Sequence, residues 1–178
     1  MAPHILVVGG TGMLSGFVEA LAGDGGRLSL LSRRASAFSR ANITGHDVDY
    51  YDEAAFVAAL DAVGPIDLAV GWFHTLKTGA PRLLAERVGK PGAPGRLFQV
   101  LGSATADPAR PDRLATAAAV AEGLANCRLR QVVLGFMVEA GASRWLTDAE
   151  ISAGVRSAVT RDLAYSVVGQ VEPWSARP

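Results

Sequence analysis

An apolar run, His4-Ile5-Leu6-Val7-Val8, passes directly into the glycine-dense turn Gly9-Gly10-Thr11-Gly12, and no other stretch restricts the fold as much. The residues that follow, 13–22, place Leu14, Phe17, Val18 and Leu21 at helical spacing, with Glu19 on the opposite face. The order is strand, tight turn, helix. The first turn of a helix leaves backbone N–H groups without partners, and the helix dipole adds partial positive charge there. A pyrophosphate reaches those groups only where no side chain blocks it, a condition that glycine meets. Gly9, Gly10, Thr11, Gly12, Met13 and Leu14 are therefore the expected contacts to a nucleotide's phosphates. The turn reads as Gly9-x-x-Gly12-x-x-Ser15 or as Gly10-x-Gly12-x-x-Ser15, with serine where glycine or alanine usually permits close packing. A mononucleotide P-loop is not expected, because it needs a Gly-Lys-Ser/Thr ending and the first lysine of the chain is Lys77.

Strand and helix patterns alternate along the whole sequence. Further strands are predicted over 27–31, about 44–48, 66–70, 97–101, 127–134 and 164–169. Helices are predicted over 52–63 with Asp52 as N-cap, about 80–88, about 113–125, and from the capping box Thr147-Asp148-Ala149-Glu150 to about 160. Most of the strands are continuous apolar runs, the pattern of a parallel sheet buried on both faces. The expected architecture is one doubly wound α/β domain over residues 1–178, with about seven parallel strands and helices on both faces. Ligands in such folds lie beyond the carboxyl ends of the strands.

Composition narrows the function classes. Apolar residues make up 49% of the chain and charged residues 19%, enough for a large core and without the signature of disorder. Lys+Arg and Asp+Glu both number 17, so there is no excess positive charge for nucleic acid or an acidic membrane. The single cysteine, Cys127, forms no internal disulfide and suits a reducing cytoplasm. His4, His46 and His74 are scattered, and neither they nor Cys127 have neighbours at metal-ligand spacing. No apolar run approaches the ~20 residues of a membrane span, and the N-terminal residues do not read as a signal peptide. The expectation is a cytoplasmic protein with a small-molecule substrate or none, no nucleic-acid or membrane partner and no metal; a homo-oligomer stays open.

The residues after each strand carry the chemistry. A carboxylate after the second strand would hold the ribose hydroxyls of NAD. Ser32, Arg33 and Arg34 stand there instead, suited to the 2′-phosphate of NADP, so NADPH is expected to be preferred over NADH. The same absence disfavours S-adenosylmethionine. Asp49 and Tyr50, after the third strand, can meet an adenine edge, or Asp49 caps the following helix. Gly71, Trp72, Phe73 and His74 follow the fourth, where Gly71 and Trp72 are expected to wall the cofactor. His74 is a candidate general acid for a carbonyl, with Ser103 after the fifth strand as a hydroxyl to orient it. Each also has a plain structural reading, as a histidine bonded to backbone and as a turn hydroxyl. Trp145 and Trp174 belong to irregular segments and are read as a lid, a dimer contact or ordinary packing.

Taken in order, these segments resemble the short-chain dehydrogenase/reductase family. The resemblance rests on Val7-Val8-Gly9-Gly10-Thr11-Gly12-Met13-Leu14, Asp49-Tyr50-Tyr51-Asp52, Gly64-Pro65-Ile66-Asp67-Leu68, Gly95-Arg96-Leu97 through Gly102-Ser103, and Leu134-Gly135-Phe136. It covers nearly the whole chain and implies a Rossmann-type domain holding a nicotinamide cofactor, with Ser103 at the place of the family's catalytic serine. The departures are equally specific. The family's Tyr-x-x-x-Lys, whose tyrosine protonates the carbonyl oxygen, should follow Ser103 by about a dozen residues. That region reads Ala115-Thr116-Ala117-Ala118-Ala119-Val120, and the only lysines are Lys77 and Lys90. Gly71-Trp72-Phe73-His74 replaces the usual Asn-Asn-Ala-Gly, and the chain is short for the family. Three readings stay open: an NADP(H)-dependent oxidoreductase for a small carbonyl or alcohol using other catalytic residues, a non-catalytic NADP(H)-binding sensor or regulator, and a Rossmann domain for a different nucleotide.

Overall fold

A computed structural model describes residues 3–75 and 77–178. In chain order the main elements are β1 (His4–Val8), α1 (Ser15–Gly23), β2 (Arg27–Ser32), β3 (Ile43–Asp47), α2 (Glu53–Val63), β4 (Leu68–Trp72), α3 (Ala80–Arg87), β5 (Gly89–Lys90), β6 (Ala93–Gly102), α4 (Asp112–Ala118), β7 (Cys127–Leu134), β8 (Phe136–Glu139), β9 (Ala142–Trp145), α5 (Asp148–Thr160) and β10 (Tyr165–Val168). Short 3₁₀ turns cover Ala35–Phe38, Ser103–Ala106, Ala119–Ala121 and Trp174–Ala176.

The seven long strands form one parallel sheet in the order β10-β7-β6-β4-β1-β2-β3, a Rossmann-like α/β arrangement. The chain builds outward from β1 in one direction, then crosses to β4 and builds in the other. The β1/β4 boundary is thus the switch point at which a crevice opens. Side-chain alternation in β1 divides the core. Val7 packs with Phe17, Val18 and Leu21 of α1 and with Ile151, Val155 and Ala158 of α5. Leu6 and Val8 face the other way, toward Phe56 and Leu60 of α2 and Leu84 and Ala85 of α3. Both faces are covered, which is why the strands are apolar throughout.

Caps delimit the helices. The Asp52 carboxylate accepts from the Ala55 amide, and the capping box of α5 is complete. At the C-terminal end of α3 the Asn126 side-chain amide donates to the carbonyls of Ala85, Glu86 and Val88. The buried Cys127 thiol, with no disulfide partner, is pushed up to about 11 by burial.

The structure departs from the sequence expectations in four places. Strand β4 begins and ends two residues later than 66–70, which draws Gly71 and Trp72 into the sheet. The Gly/Pro-rich stretch 89–95 is a small hairpin, with β5 pairing antiparallel to the start of β6. The alanine-rich helix ends at Ala118, continues as a 3₁₀ turn and stops before Gly123, whose φ is +72°. An antiparallel hairpin, β8–β9, stands where only an irregular segment was expected. No helix among the described residues is long and apolar enough to cross a membrane.

Candidate functional site

The carboxyl ends of β1 to β4 enclose a cavity of about 650 Å³, within the ~300–1,000 Å³ typical of small-molecule and cofactor sites. Among its lining residues are Gly9, Thr11, Gly12, Met13, Ser32, Arg33, Arg34, Asp49, Tyr50, Trp72 and His74, all of them candidates from the sequence. Three other candidates lie beneath the surface. A Cβ on Gly10 would meet Leu30, Val7 and Val18 within 2.9 Å, and one on Gly71 would meet Phe73 at 2.9 Å. Leu14 is fully buried against α1's core face. Gly10 and Gly71 let layers approach, and Leu14 fills space between them.

The glycine turn divides its work by position. Gly9 has φ +78°, and a Cβ there would stand 2.7 Å from the Trp72 carbonyl oxygen, so the first turn residue is held close to β4. Gly12 is the opposite case, because a Cβ there would meet nothing within 4 Å. The protein leaves that space open at the start of α1, whose first turn has no side-chain cap. Unpaired N–H groups beside open volume suit an anion. Close approach between helices falls at Gly16, whose Cβ would lie 3.1 Å from the Ser152 hydroxyl of α5. That hydroxyl in turn donates to the Met13 carbonyl at 3.0 Å, fixing the turn from below.

At the end of β2 the Thr11 hydroxyl donates to Ser32 Oγ at 3.1 Å, joining the glycine turn to the second strand. Arg33 and Arg34 are exposed and make no ion pair among the described residues. Ser32 is in register with Asp47 of β3, the carboxylate nearest along the sheet. Asp47 is already engaged: it accepts from the Ser36 amide at 2.7 Å and the Ser36 hydroxyl at 2.6 Å, and these bonds hold its pKa below the usual range. The strand end therefore presents two free guanidinium groups and no free carboxylate.

An aromatic group forms the far wall. Tyr50 stacks on Tyr51 at 4.8 Å and meets Phe73 edge-on at 5.1 Å, and its hydroxyl accepts from the His74 amide at 3.0 Å. Burial is the main cause that raises the Tyr50 pKa. Tyr51, 58% exposed, also lines the cavity and was not among the sequence candidates, although it adjoins Tyr50.

A second cavity of about 310 Å³ opens at the ends of β6 and β7. Trp72 borders both cavities. Ser103, Gly135, Trp145 and Arg177 line the second one, and Ser103 is 5% exposed. His74 lines the first cavity and Ser103 the second, so the sequence pairing of His74 with Ser103 around one carbonyl is not assembled. The His74 ring is exposed, lies edge-on to Trp72 at 5.6 Å and makes no hydrogen bond among the described residues, unlike a backbone-tied structural histidine. The Ser103 hydroxyl accepts instead from Arg177 Nε at 2.9 Å. Sequence reading missed Arg177. Its one signal was Trp174, three residues earlier, in a segment with no regular pattern.

Among the described residues no group of three or more His, Cys, Asp or Glu side chains could hold a metal ion. None of the chain's tyrosines adjoins Ser103 in this cavity. Tyr50 and Tyr51 line the other cavity, and Tyr165 starts β10 at the amino end of the sheet.

No protein-family model and no curated protein matches the sequence. Solved structures share the fold. A short-chain dehydrogenase from Burkholderia cenocepacia, in complex with NADP, aligns at 15% identity over 96% of this chain and 89% of that one, with a TM-score of 0.70. A short-chain dehydrogenase/reductase from Vibrio parahaemolyticus aligns at 13% identity over 93% and 98% of the two chains, TM-score 0.69. An anaerobilin reductase from Escherichia coli aligns at 15% identity over 96% and 97%, TM-score 0.64. The chain has the fold of the short-chain dehydrogenase/reductases.

Proposed function

We propose that this chain binds NADP(H) across the carboxyl edge of its sheet and acts as an oxidoreductase on a small carbonyl or alcohol compound. The observation that carries the reading is the end of β2. Arg33 and Arg34 stand there without ion pairs among the described residues, and the neighbouring carboxylate of Asp47 is occupied by Ser36. A ribose 2′-phosphate would satisfy both guanidinium groups, whereas a bare ribose diol would leave them without an anionic partner. The open space at Gly12 fits the pyrophosphate, and Asp49, Tyr50 and Tyr51 would flank the adenine. Trp72 borders both cavities, so a dinucleotide lying past it would bring its nicotinamide toward Ser103. The cofactor supplies a hydride to a carbonyl carbon; Ser103 would hold the carbonyl oxygen by a hydrogen bond. His74, the proton donor expected from the sequence, stands at the rim of the first cavity and not beside that oxygen, so His74→Ala is expected to leave turnover largely unchanged; a sharp loss would return it to that role.

Titration of the protein with each cofactor tests the reading. NADPH is expected to bind about ten- to a hundredfold tighter than NADH, the worth of one or two charge-assisted contacts. Replacing Arg33 and Arg34 with alanine should close that gap. Equal affinity for the two cofactors in the unaltered protein would overturn the preference. The absence of any tyrosine beside Ser103 favours a second reading, a non-catalytic NADP(H)-binding sensor or regulator. A carbonyl panel separates the two: turnover with NADPH supports the enzyme, and tight binding without turnover supports the sensor.

A further inference from the structure

Among the described residues, Arg177 is the only charged one lining the second cavity; the rest of the wall is Trp72, Gly102, Ser103, Leu134, Gly135, Trp145, Leu146 and Ile151. Its guanidinium carbon lies 4.8 Å from the centre of the Trp145 ring and 5.1 Å from that of Trp174. Two indole rings and the Ser103 hydroxyl therefore hold one cation in place. A guanidinium has five N–H donors in a planar fork, and only the Nε donor has a protein acceptor among the described residues. No carboxylate of the chain pairs with it among those residues. Arg177 is exposed, so its free, coplanar donors lie at the cavity's open edge beside a largely apolar wall; such a fork matches a planar anion, and a carboxylate engages it with two parallel bonds.

We infer that the second cavity is a carboxylate subsite, in which Arg177 binds the acid group of a small carbonyl-bearing acid and Ser103 lies beside its carbonyl oxygen. This rests on the oxidoreductase reading for the carbonyl and names the substrate class, a small oxo acid. The recognition of the carboxylate rests on Arg177 alone.

The chain's three tryptophans report on this place directly, since Trp72 and Trp145 line the cavity and Trp174 touches Arg177. The probes are 2-oxobutanoate, 3-oxobutanoate and 4-oxopentanoate, each against its methyl ester, titrated by indole fluorescence with and without NADPH. At least one acid should change the emission saturably and bind about ten- to a hundredfold tighter than its ester. Arg177→Met should erase that difference, Arg177→Lys should keep part of it, and NADPH affinity should stay unchanged in both. Acids that bind no better than their esters in the unaltered protein would overturn the inference, a result that needs no variant to fold. A loss of NADPH affinity in Arg177→Met with no loss for the acid would overturn it too, by assigning Arg177 to the cofactor. Failure of NADPH itself to bind would sink the oxidoreductase reading, and the titrations without NADPH would still decide whether Arg177 holds a carboxylate.

Discussion

His4 shows what one side chain contributes when its surroundings settle its protonation. It is 4% exposed in β1, with Nδ1 2.7 Å from the Pro65 carbonyl and Nε2 2.8 Å from the Ser29 hydroxyl. A carbonyl only accepts, so Nδ1 donates, and in the neutral ring Nε2 accepts from Ser29. Burial holds the pKa below the usual 6.5, outweighing the Pro65 bond that raises it. The folded state thus binds fewer protons than the unfolded chain just below pH 6.5. The contribution of His4 is complete above that value and is lost as the pH falls through it. The thermal midpoint should drop more steeply from about pH 7 to about pH 5 in the unaltered protein than in His4→Gln. Parallel curves would show that His4 is not the group responsible. The glycine turn marks the limit of reading at this scale. Its density pointed to a phosphate-side turn, yet only the folded chain distinguishes Gly9, pressed on Trp72, from Gly10, packed on Leu30, and from Gly12, open to solvent. Those differences depend on Leu30, 20 residues from Gly10, and on Trp72, 63 residues from Gly9, which no local pattern encodes.

Elements with strong apolar runs or complete caps were legible, and those defined by tertiary pairing were not. The hairpin β8–β9 turns at Ala140 and Gly141, with φ +50° and +82°. Paired positive φ values normally call for Asn-Gly or Asp-Gly, so Ala-Gly left no turn signal. Strand β5 is two residues long and exists only through its pairing with β6. The hairpin is anchored at its base by paired backbone bonds between Phe136 and Gln170, both 2.9 Å, and along β9 by the start of α5. Arg144 of β9 donates to both oxygens of Glu150 at 2.9 Å, while Glu150 also accepts from the Thr147 amide at 2.8 Å. The Arg144 bond is the largest cause that lowers the Glu150 pKa from 4.5 to about 2. The link is therefore complete above about pH 4.5 and lost as the pH falls toward 2. Glu150→Gln should speed amide hydrogen exchange across 136–145 and leave the middle of α5 unchanged. Exchange in the hairpin as slow as in the unaltered protein would show that packing and the Phe136–Gln170 bridge hold it without Glu150. Because Trp145 lies on this hairpin and borders the second cavity, the same variant should weaken binding there.

At the scale of the molecule, the alternation of strand and helix was sufficient to place a ligand at the carboxyl edge of a parallel sheet. The same alternation did not reveal that this edge holds two cavities separated at Trp72, because the second is completed by Arg177, 74 residues beyond Ser103. Such a division predicts separable energetics. A ligand that binds only the folded state stabilises it by RT ln(1 + [L]/Kd), about 2.7 kcal/mol at a hundredfold excess over Kd. Each kcal/mol raises the midpoint of a domain this size by about 2–4 °C, so NADPH at that concentration should raise it by about 5–10 °C. NADH at the same concentration should give a clearly smaller shift. Arg177→Met should keep the full NADPH shift, since Arg177 lines only the second cavity, and the Arg33/Arg34 double alanine variant should lose much of it. If both variants lost the shift equally, the two cavities would be one binding unit, with Trp72 coupling the ends of the sheet rather than dividing them.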